Sequence, residues 1–382
     1  MFLEVEKAEG VYLFSPDGKK YLDLISGVSV SNTGHRHPKV VQAVKDQVDS
    51  YMHLMVYGEY IQSPQVKYAE LIASILPGNL DCCYFVNSGS EAVEGSLKLA
   101  KRITGRSRII SFKNAYHGST HGALSIQGSE KYKNSFRPLL PDTFQIDFND
   151  ESSLRLIDDR TACVIIEPIQ GEAGIIVPEK DFLARVRQRC DKVNALLIFD
   201  EIQTGFGRTG SLFAFEKYNV VPDILLLAKA LGGGMPLGAF ISSREKMSAL
   251  MSSPALGHIT TFGGHPVCCA AGMASLNVIT EENLVEKCNG KSELFKKHLN
   301  HSIIREVRGE GLMLAVRLTD PAYTGYVVSK APEFGLVLDY FLFNNDSFRI
   351  APPLTISDEE IMWACSRLNE LLDDARLKAV KV

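Results

Sequence analysis

Two apolar runs in this 382-residue chain end in side chains fit for chemistry. Leu196-Leu197-Ile198-Phe199 leads into Asp200, with Glu201, Ile202 and Gln203 behind it, and Ile224-Leu225-Leu226-Leu227-Ala228 leads into Lys229, with Gly232 to Gly234 close behind. Such runs read as buried strands, and open α/β sheets bind ligands beyond the carboxyl ends of their strands. One acid at a strand end more often caps a sheet edge than serves a site. The second run alters that balance, because a lysine directly after an apolar strand is badly placed for solvent. Burial lowers a lysine's pKa and frees its amine as a nucleophile, and the glycines let backbone pass close to a bulky ligand. An imine-forming amine beside an anion for a pyridine nitrogen is the pair that pyridoxal 5'-phosphate requires. A phosphate site is then needed, and Asn87-Ser88-Gly89-Ser90-Glu91 supplies small, hydroxyl-bearing residues between a strand and a helix. Free amide hydrogens and the positive end of the helix dipole favour an anion there, although Ser88 or Ser90 alone would also suit a plain N-cap.

Short β-branched runs alternate with helical patterns between about residues 80 and 245, the signature of a largely parallel sheet covered by helices. The expected strands are Cys83–Val86, Arg108–Phe112, Ala162–Glu167, Leu196–Phe199, Ile224–Leu227 and Ala239–Ser242, with helices over Glu91–Ile103 and Asp181–Val193. Beyond about Leu276 the pattern becomes a smaller α+β unit: a helix over Leu284–Leu299, strands over Ile303–Val307 and Leu312–Leu318, and a last helix opened by the capping box Ser357-x-x-Glu360. An Asp17-Gly18 hairpin near the start is too small to stand alone and is expected to join the C-terminal unit.

A net charge of -4, with 41 basic and 45 acidic residues and no basic block, argues against a nucleic-acid partner. Met1 to Gly10 lacks the pattern of a secretory leader, no apolar stretch reaches membrane-spanning length, and eight cysteines without a C-x-x-C pair suit a cytoplasmic protein. Three other features invite different readings. Gly205 to Gly210 (GFGRTG) spells a dinucleotide motif, but Pro222 comes too soon for the helix such a site needs. His117 and His121 stand four apart like zinc ligands, yet glycine lies where a general-base glutamate would, so no metal is assigned. His35, His37 and His265 read as loop and packing residues, and Arg185, Arg187 and Arg189 as a solvated helix face.

Eight runs, in order, resemble those of the class III pyridoxal-phosphate aminotransferases, closest in pattern to the acetylornithine and ornithine enzymes. They are Gly34 to Pro38 (GHRHP), Asn87 to Lys98 (NSGSEAVEGSLK), Tyr116-His117-Gly118, Glu167 to Gly174 (EPIQGEAG), Asp200 to Gly210 (DEIQTGFGRTG), Ala228 to Gly238 (AKALGGGMPLG), Thr260 to Pro266 (TTFGGHP) and Arg349 to Leu354 (RIAPPL). The resemblance implies an α/β fold of fold-type I. A large domain, residues 55–270, would hold a mostly parallel seven-stranded sheet, and residues 1–54 and 271–382 would form a smaller α+β domain. It gives Lys229 the Schiff base, Asp200 the pyridinium nitrogen and Gln203 the ring's phenolic oxygen. Ser88, Gly89 and Ser90 match the phosphate loop, and Tyr116 the ring stacked on the cofactor. Thr261 matches a threonine that reaches the partner subunit's phosphate, which implies a homodimer with shared active sites. Thr260 falls at a substrate contact, while Glu172 and Arg349 resemble a gating pair in which the glutamate masks an arginine meant for a substrate carboxylate.

The activity implied is ping-pong transfer of an amino group, from an ornithine- or acetylornithine-like donor to a 2-oxo acid, with Lys229 moving the proton. Other readings are a broader ω-amine, 4-aminobutyrate or lysine transaminase, an aminomutase or racemase on the same scaffold, and a cofactor-holding protein without turnover. One departure bears on substrate: the family's Tyr/Phe-x-Gly run is usually followed by arginine, and here that residue is Ser119. Arg137 is the candidate to replace its charge.

Overall fold

The computed structural model describes residues 3–56, 58–179 and 181–379. Its centre is a seven-stranded sheet in the order Cys82–Val86, Gly238–Ser242, Ile224–Leu227, Leu196–Asp200, Thr161–Ile166, Arg108–Phe112, Thr143–Ile146. Gly238–Ser242 runs antiparallel to both neighbours and the other pairs are parallel. The three central apolar strands are buried along their whole length, as continuous Val/Ile/Leu runs require when helices cover both faces.

All six expected strands need only their ends moved by a residue or are unchanged. Ala162–Glu167 shifts to Thr161–Ile166, which leaves Glu167 just past the strand. The unforeseen seventh strand, Thr143–Ile146, is a four-residue edge strand with Phe144 exposed. The helix Gly89–Thr104 starts two residues earlier than its apolar period, capped by Ser88 Oγ accepting from Glu91 N at 3.2 Å, and ends at left-handed Gly105. It lies so close to the sheet that a Cβ on Gly95 would meet the Phe240 ring at 2.4 Å.

Two four-stranded sheets complete the molecule. One joins Lys7–Glu9, Tyr12–Phe14 and Lys20–Asp23 to Leu336–Val337, so the N-terminal hairpin pairs with the C-terminal part. The other runs Ile304–Glu310, Met313–Leu318, Ser347–Ile350, Asp339–Tyr340. The last helix, Asp358–Lys378, opens on the expected capping box. Arg185, Arg187 and Arg189 are more than a solvated face: Arg187 pairs with Asp223 at 2.7 Å and Arg189 donates to the carbonyl of Ile157. One local feature had no sequence signal. Ser26, Gly27, Val28 and Ser29 all hold positive φ, between 49° and 64°, a left-handed turn that costs roughly 1–2 kcal/mol for each residue with a Cβ.

Candidate active site

Asp200 and Lys229 leave adjacent parallel strands on the same side of the sheet, Asp200 pairing with Leu226 in register. Beyond these ends lies a cavity of about 420 Å³, lined among others by Ser88, Gly89, Ser90, Tyr116, Gln203 and the two strand-end residues. Lys229 takes a left-handed turn, φ 50°, directly after the strand. Burial pulls its amine down to about 8, against the opposing pull of Glu172.

Asp200 is held on both oxygens. His117 Nδ1 lies 2.7 Å from Oδ2, and Oδ1 accepts from the amide of Ile202 at 3.1 Å. His117 is itself buried, and its Nε2 has no partner among the described residues. Glu167 also borders the cavity, accepting from the amides of Tyr116 and Gly171, and burial pushes its carboxyl up to about 7. Beside Gln203 a second cluster closes: Arg349 Nη2 donates to Glu172 Oε1 at 2.7 Å, Arg349 Nη1 to Gln203 Oε1 at 3.2 Å, and Gln203 Nε2 to Glu172 Oε1 at 3.0 Å. The amide of Leu342 takes the other Glu172 oxygen at 3.2 Å. Burial alone would raise the Glu172 carboxyl, but Arg349 and its neighbours hold it below the ordinary glutamate value.

At the helix start two glycines are required by space. A Cβ on Gly89 would come 2.8 Å from Ile202, and one on Gly118, where φ is +124°, would come 2.1 Å from Ser90 Oγ. The opening this leaves has amides and hydroxyls on one side and Lys229 and Asp200 on the other. Ser119 N donates to Ser90 Oγ at 3.3 Å, and the hydroxyls of Ser119 and Tyr116 are 3.2 Å apart. Thr260 Oγ1 accepts from Asn87 Nδ2 at 2.9 Å, whereas Thr261 lies exposed on the same loop, its carbonyl 3.0 Å from His53 Nε2.

A family model described as "Aminotransferase class-III" matches residues 1–372. The chain belongs to the class-III aminotransferases. It is similar to the acetylornithine aminotransferase of Methanopyrus kandleri, 40% identical with 95% of this chain and 92% of that protein covered. It is similar also to that of Methanocaldococcus jannaschii, 41% identical with 97% and 93% covered. Among solved structures, an ornithine aminotransferase from Toxoplasma gondii, described with partial occupancy of pyridoxal phosphate at its active site, superimposes with a TM-score of 0.93 at 30% identity, covering 100% of this chain and 92% of that one. This class-III aminotransferase is therefore a transaminase that uses pyridoxal 5'-phosphate.

The cavity fits that cofactor on its own geometry, with an amine of lowered pKa, a fixed carboxylate, and a glycine-cleared helix start within one space. Of the residues named from sequence, Ser88, Gly89, Ser90, Tyr116, Asp200, Gln203 and Lys229 border the cavity directly. Glu172, Thr260 and Arg349 reach it through one hydrogen bond, to Gln203 or Asn87, and Thr261 stands outside it. Arg137 does not enter. It pairs with Glu130 at 2.5 Å on the surface. His117 was passed over as half of a histidine pair, and its contact with Asp200 has no sequence signal because 83 residues separate them.

Proposed function

We propose that this aminotransferase moves the terminal amino group of an acetylornithine- or ornithine-like donor to a 2-oxo acid. The observation that carries the assignment is the meeting of Lys229 and Asp200, from neighbouring strands, in one cavity beside the Glu172–Gln203–Arg349 cluster. When bound, pyridoxal 5'-phosphate supplies an aldehyde that carries the amino group between two half-reactions and a ring that draws electrons from the donor carbon. Lys229 would hold the cofactor covalently. Its Nζ, once free, would take a proton from the amine-bearing carbon and return one in the second half-reaction, a task suited to an amine near 8. Asp200 keeps the ring nitrogen protonated, fixed for this by His117 and the Ile202 amide. Ser88, Gly89 and Ser90 would hold the phosphate, Tyr116 would cover the ring, and Gln203 would serve the phenolic oxygen.

Arg349 serves as the carboxylate anchor. With Glu172 on it, the guanidinium is neutralised while no carboxylate competes. A substrate carboxylate replaces that partner bidentately. At the far end of the donor, Tyr116 and Ser119 offer hydroxyls where relatives carry an arginine, and Thr260 adds one more. A neutral hydrogen bond contributes about 1 kcal/mol against roughly 1.5–3 for a charge-assisted one. Donors with a distal carboxylate therefore gain less here than a guanidinium would give them. Comparing Ser119→Arg with the parent on acetylornithine, ornithine, lysine and 4-aminobutyrate tests this. Each of these donors has a carboxylate distal to its terminal amine, so the arginine is expected to raise their kcat/KM about tenfold relative to butylamine, which has none. Unchanged ratios to butylamine across all four would show that residue 119 does not face substrate.

The working unit in this proposal is a cytoplasmic homodimer, each protomer having a large domain of residues 55–270 and a small domain of residues 1–54 and 271–382. The pairing of Lys20–Asp23 with Leu336–Val337 supports joining the two chain ends.

A further inference from the structure

The run Gly205 to Gly210 has no ligand in the function proposed above, yet it carries a fully buried arginine. Arg208 Nη1 donates to the carbonyls of Leu312 at 2.9 Å and Pro352 at 2.5 Å, and Nη2 to Asn32 Oδ1 at 2.5 Å and Ser26 Oγ at 3.1 Å. It has no carboxylate partner among the described residues, and its Nε has no acceptor among them. A buried guanidinium held only by neutral oxygens is costly, so where its acceptors lead matters.

They lead to two places beside the site, the cavity wall at Val30 and the strands that carry Arg349. Ser26 and Asn32 bracket Val30, an apolar side chain on the cavity wall. The turn between them is the left-handed run Ser26 to Ser29, further pinned by Asp23 Oδ1 accepting from the amides of Ile25 and Ser26. Such a run persists only when its surroundings over-determine it. Leu312 and Pro352 flank the other side: Leu312 precedes the strand Met313–Leu318, Pro352 follows Ser347–Ile350, and Ala315 pairs with Arg349 in that ladder. Both carbonyls therefore sit at the end of the ladder that aims Arg349.

We infer that Arg208 is a positioning residue that fixes the Val30 wall relative to the Arg349 strand and so sets how well carboxylate-bearing substrates fit. It touches neither cofactor nor substrate. The planar fork of a guanidinium spans four oxygens in fixed directions, which the single ammonium of lysine cannot do. Loss of Asn32 Oδ1 leaves Nη2 with the longer Ser26 contact and also removes the bond from Asn32 Nδ2 to the carbonyl of Phe206, releasing the turn that carries Val30.

The inference rests on Arg349 as the carboxylate anchor, and the experiment separates the two. Asn32→Ala, Arg208→Lys and Arg349→Lys holoenzymes are assayed for kcat and KM with 2-oxoglutarate as acceptor, which has a carboxylate beside its reacting carbon, and with butylamine as donor, a terminal amine without a carboxylate. Glutarate binding to each resting holoenzyme is measured by calorimetry. Asn32→Ala and Arg208→Lys are expected to raise the 2-oxoglutarate KM and the glutarate Kd five- to tenfold, with kcat and the butylamine KM within twofold of the parent. A lower Tm with both KM values unchanged, or equal rises for both substrates, overturns the inference. If Arg208→Lys does not fold, Asn32→Ala alone decides. Should Arg349→Lys lose carboxylate preference while the other two keep it, only the positioning role falls. Should Arg349→Lys keep it as well, the anchor falls and the inference with it.

Discussion

At the end of an apolar strand the Lys229 amine has little access to water, and burial lowers it to about 8. That value has a direct consequence for cofactor uptake. Protonated below about 8, the amine is inert as a nucleophile, so cofactor-free protein should take up pyridoxal 5'-phosphate at a rate that rises through pH 8 and levels off above it. Stopped-flow absorbance between pH 6.5 and 10 checks this, and Lys229→Ala should abolish both that absorbance change and turnover. A rate that rises only above pH 10 would mean an ordinary exposed lysine. Stability follows the same proton: the unfolded lysine keeps it to about 10.5 and the folded one releases it near 8. Cofactor-free protein should therefore gain stability as pH climbs between those values. The residues that escaped sequence reasoning are those whose work is done on another side chain. His117 serves Asp200, and Arg208 serves two carbonyls and two side chains far from it in sequence, so none of these bonds is written in local spacing.

At the scale of elements, strands buried on both faces were the easiest to read and half-exposed ones the hardest. Thr143–Ile146 offers only four residues, one of them an exposed phenylalanine, so neither alternation nor a continuous apolar run announces it. The left-handed turn at Ser26 to Ser29 is harder still, because only Gly27 favours positive φ and the turn is tied through Ser26, whose hydroxyl meets the carbonyl of Ala351 and Arg208. The helix Gly89–Thr104 lies at the opposite extreme, with a clear apolar period and a serine cap. Its glycine at position 95 nevertheless follows from packing. Alanine is favoured over glycine in a helix by up to about 1 kcal/mol. Against that gain, the new Cβ would stand 2.4 Å from the rigid Phe240 ring, and overpacking of this kind costs typically 1–3 kcal/mol. Gly95→Ala should thus lower stability in urea by a net ~1 kcal/mol, and weaken cofactor binding if the same helix start cradles the phosphate as proposed. A more stable variant would mean that the helix can lift from the sheet without consequence.

At the scale of the whole molecule, the alternation of strands and helices between residues 80 and 245 announced the central sheet, while the joining of the chain ends rested on a hairpin too small to stand alone. What lies beyond one chain is carried by surface. Met52 and Phe262 are large apolar residues left exposed, on segments that meet where His53 lies 4.9 Å from the Phe262 ring, and Ile61 and Met251 are exposed as well. Thr261 belongs to that surface rather than to the cavity of its own chain, as a residue completing a second protomer's phosphate site would. Hybrid dimers test this. Lys229→Ala and Thr261→Ala are each expected to lose most activity alone. If Thr261 acts across the interface, each mixed dimer has one site with both lesions and one with neither. Complete subunit exchange between equal amounts should then restore about a quarter of the parent activity, since half of the dimers are mixed and each has one intact site. If each site is built from one chain, mixing returns only the average of the two variants.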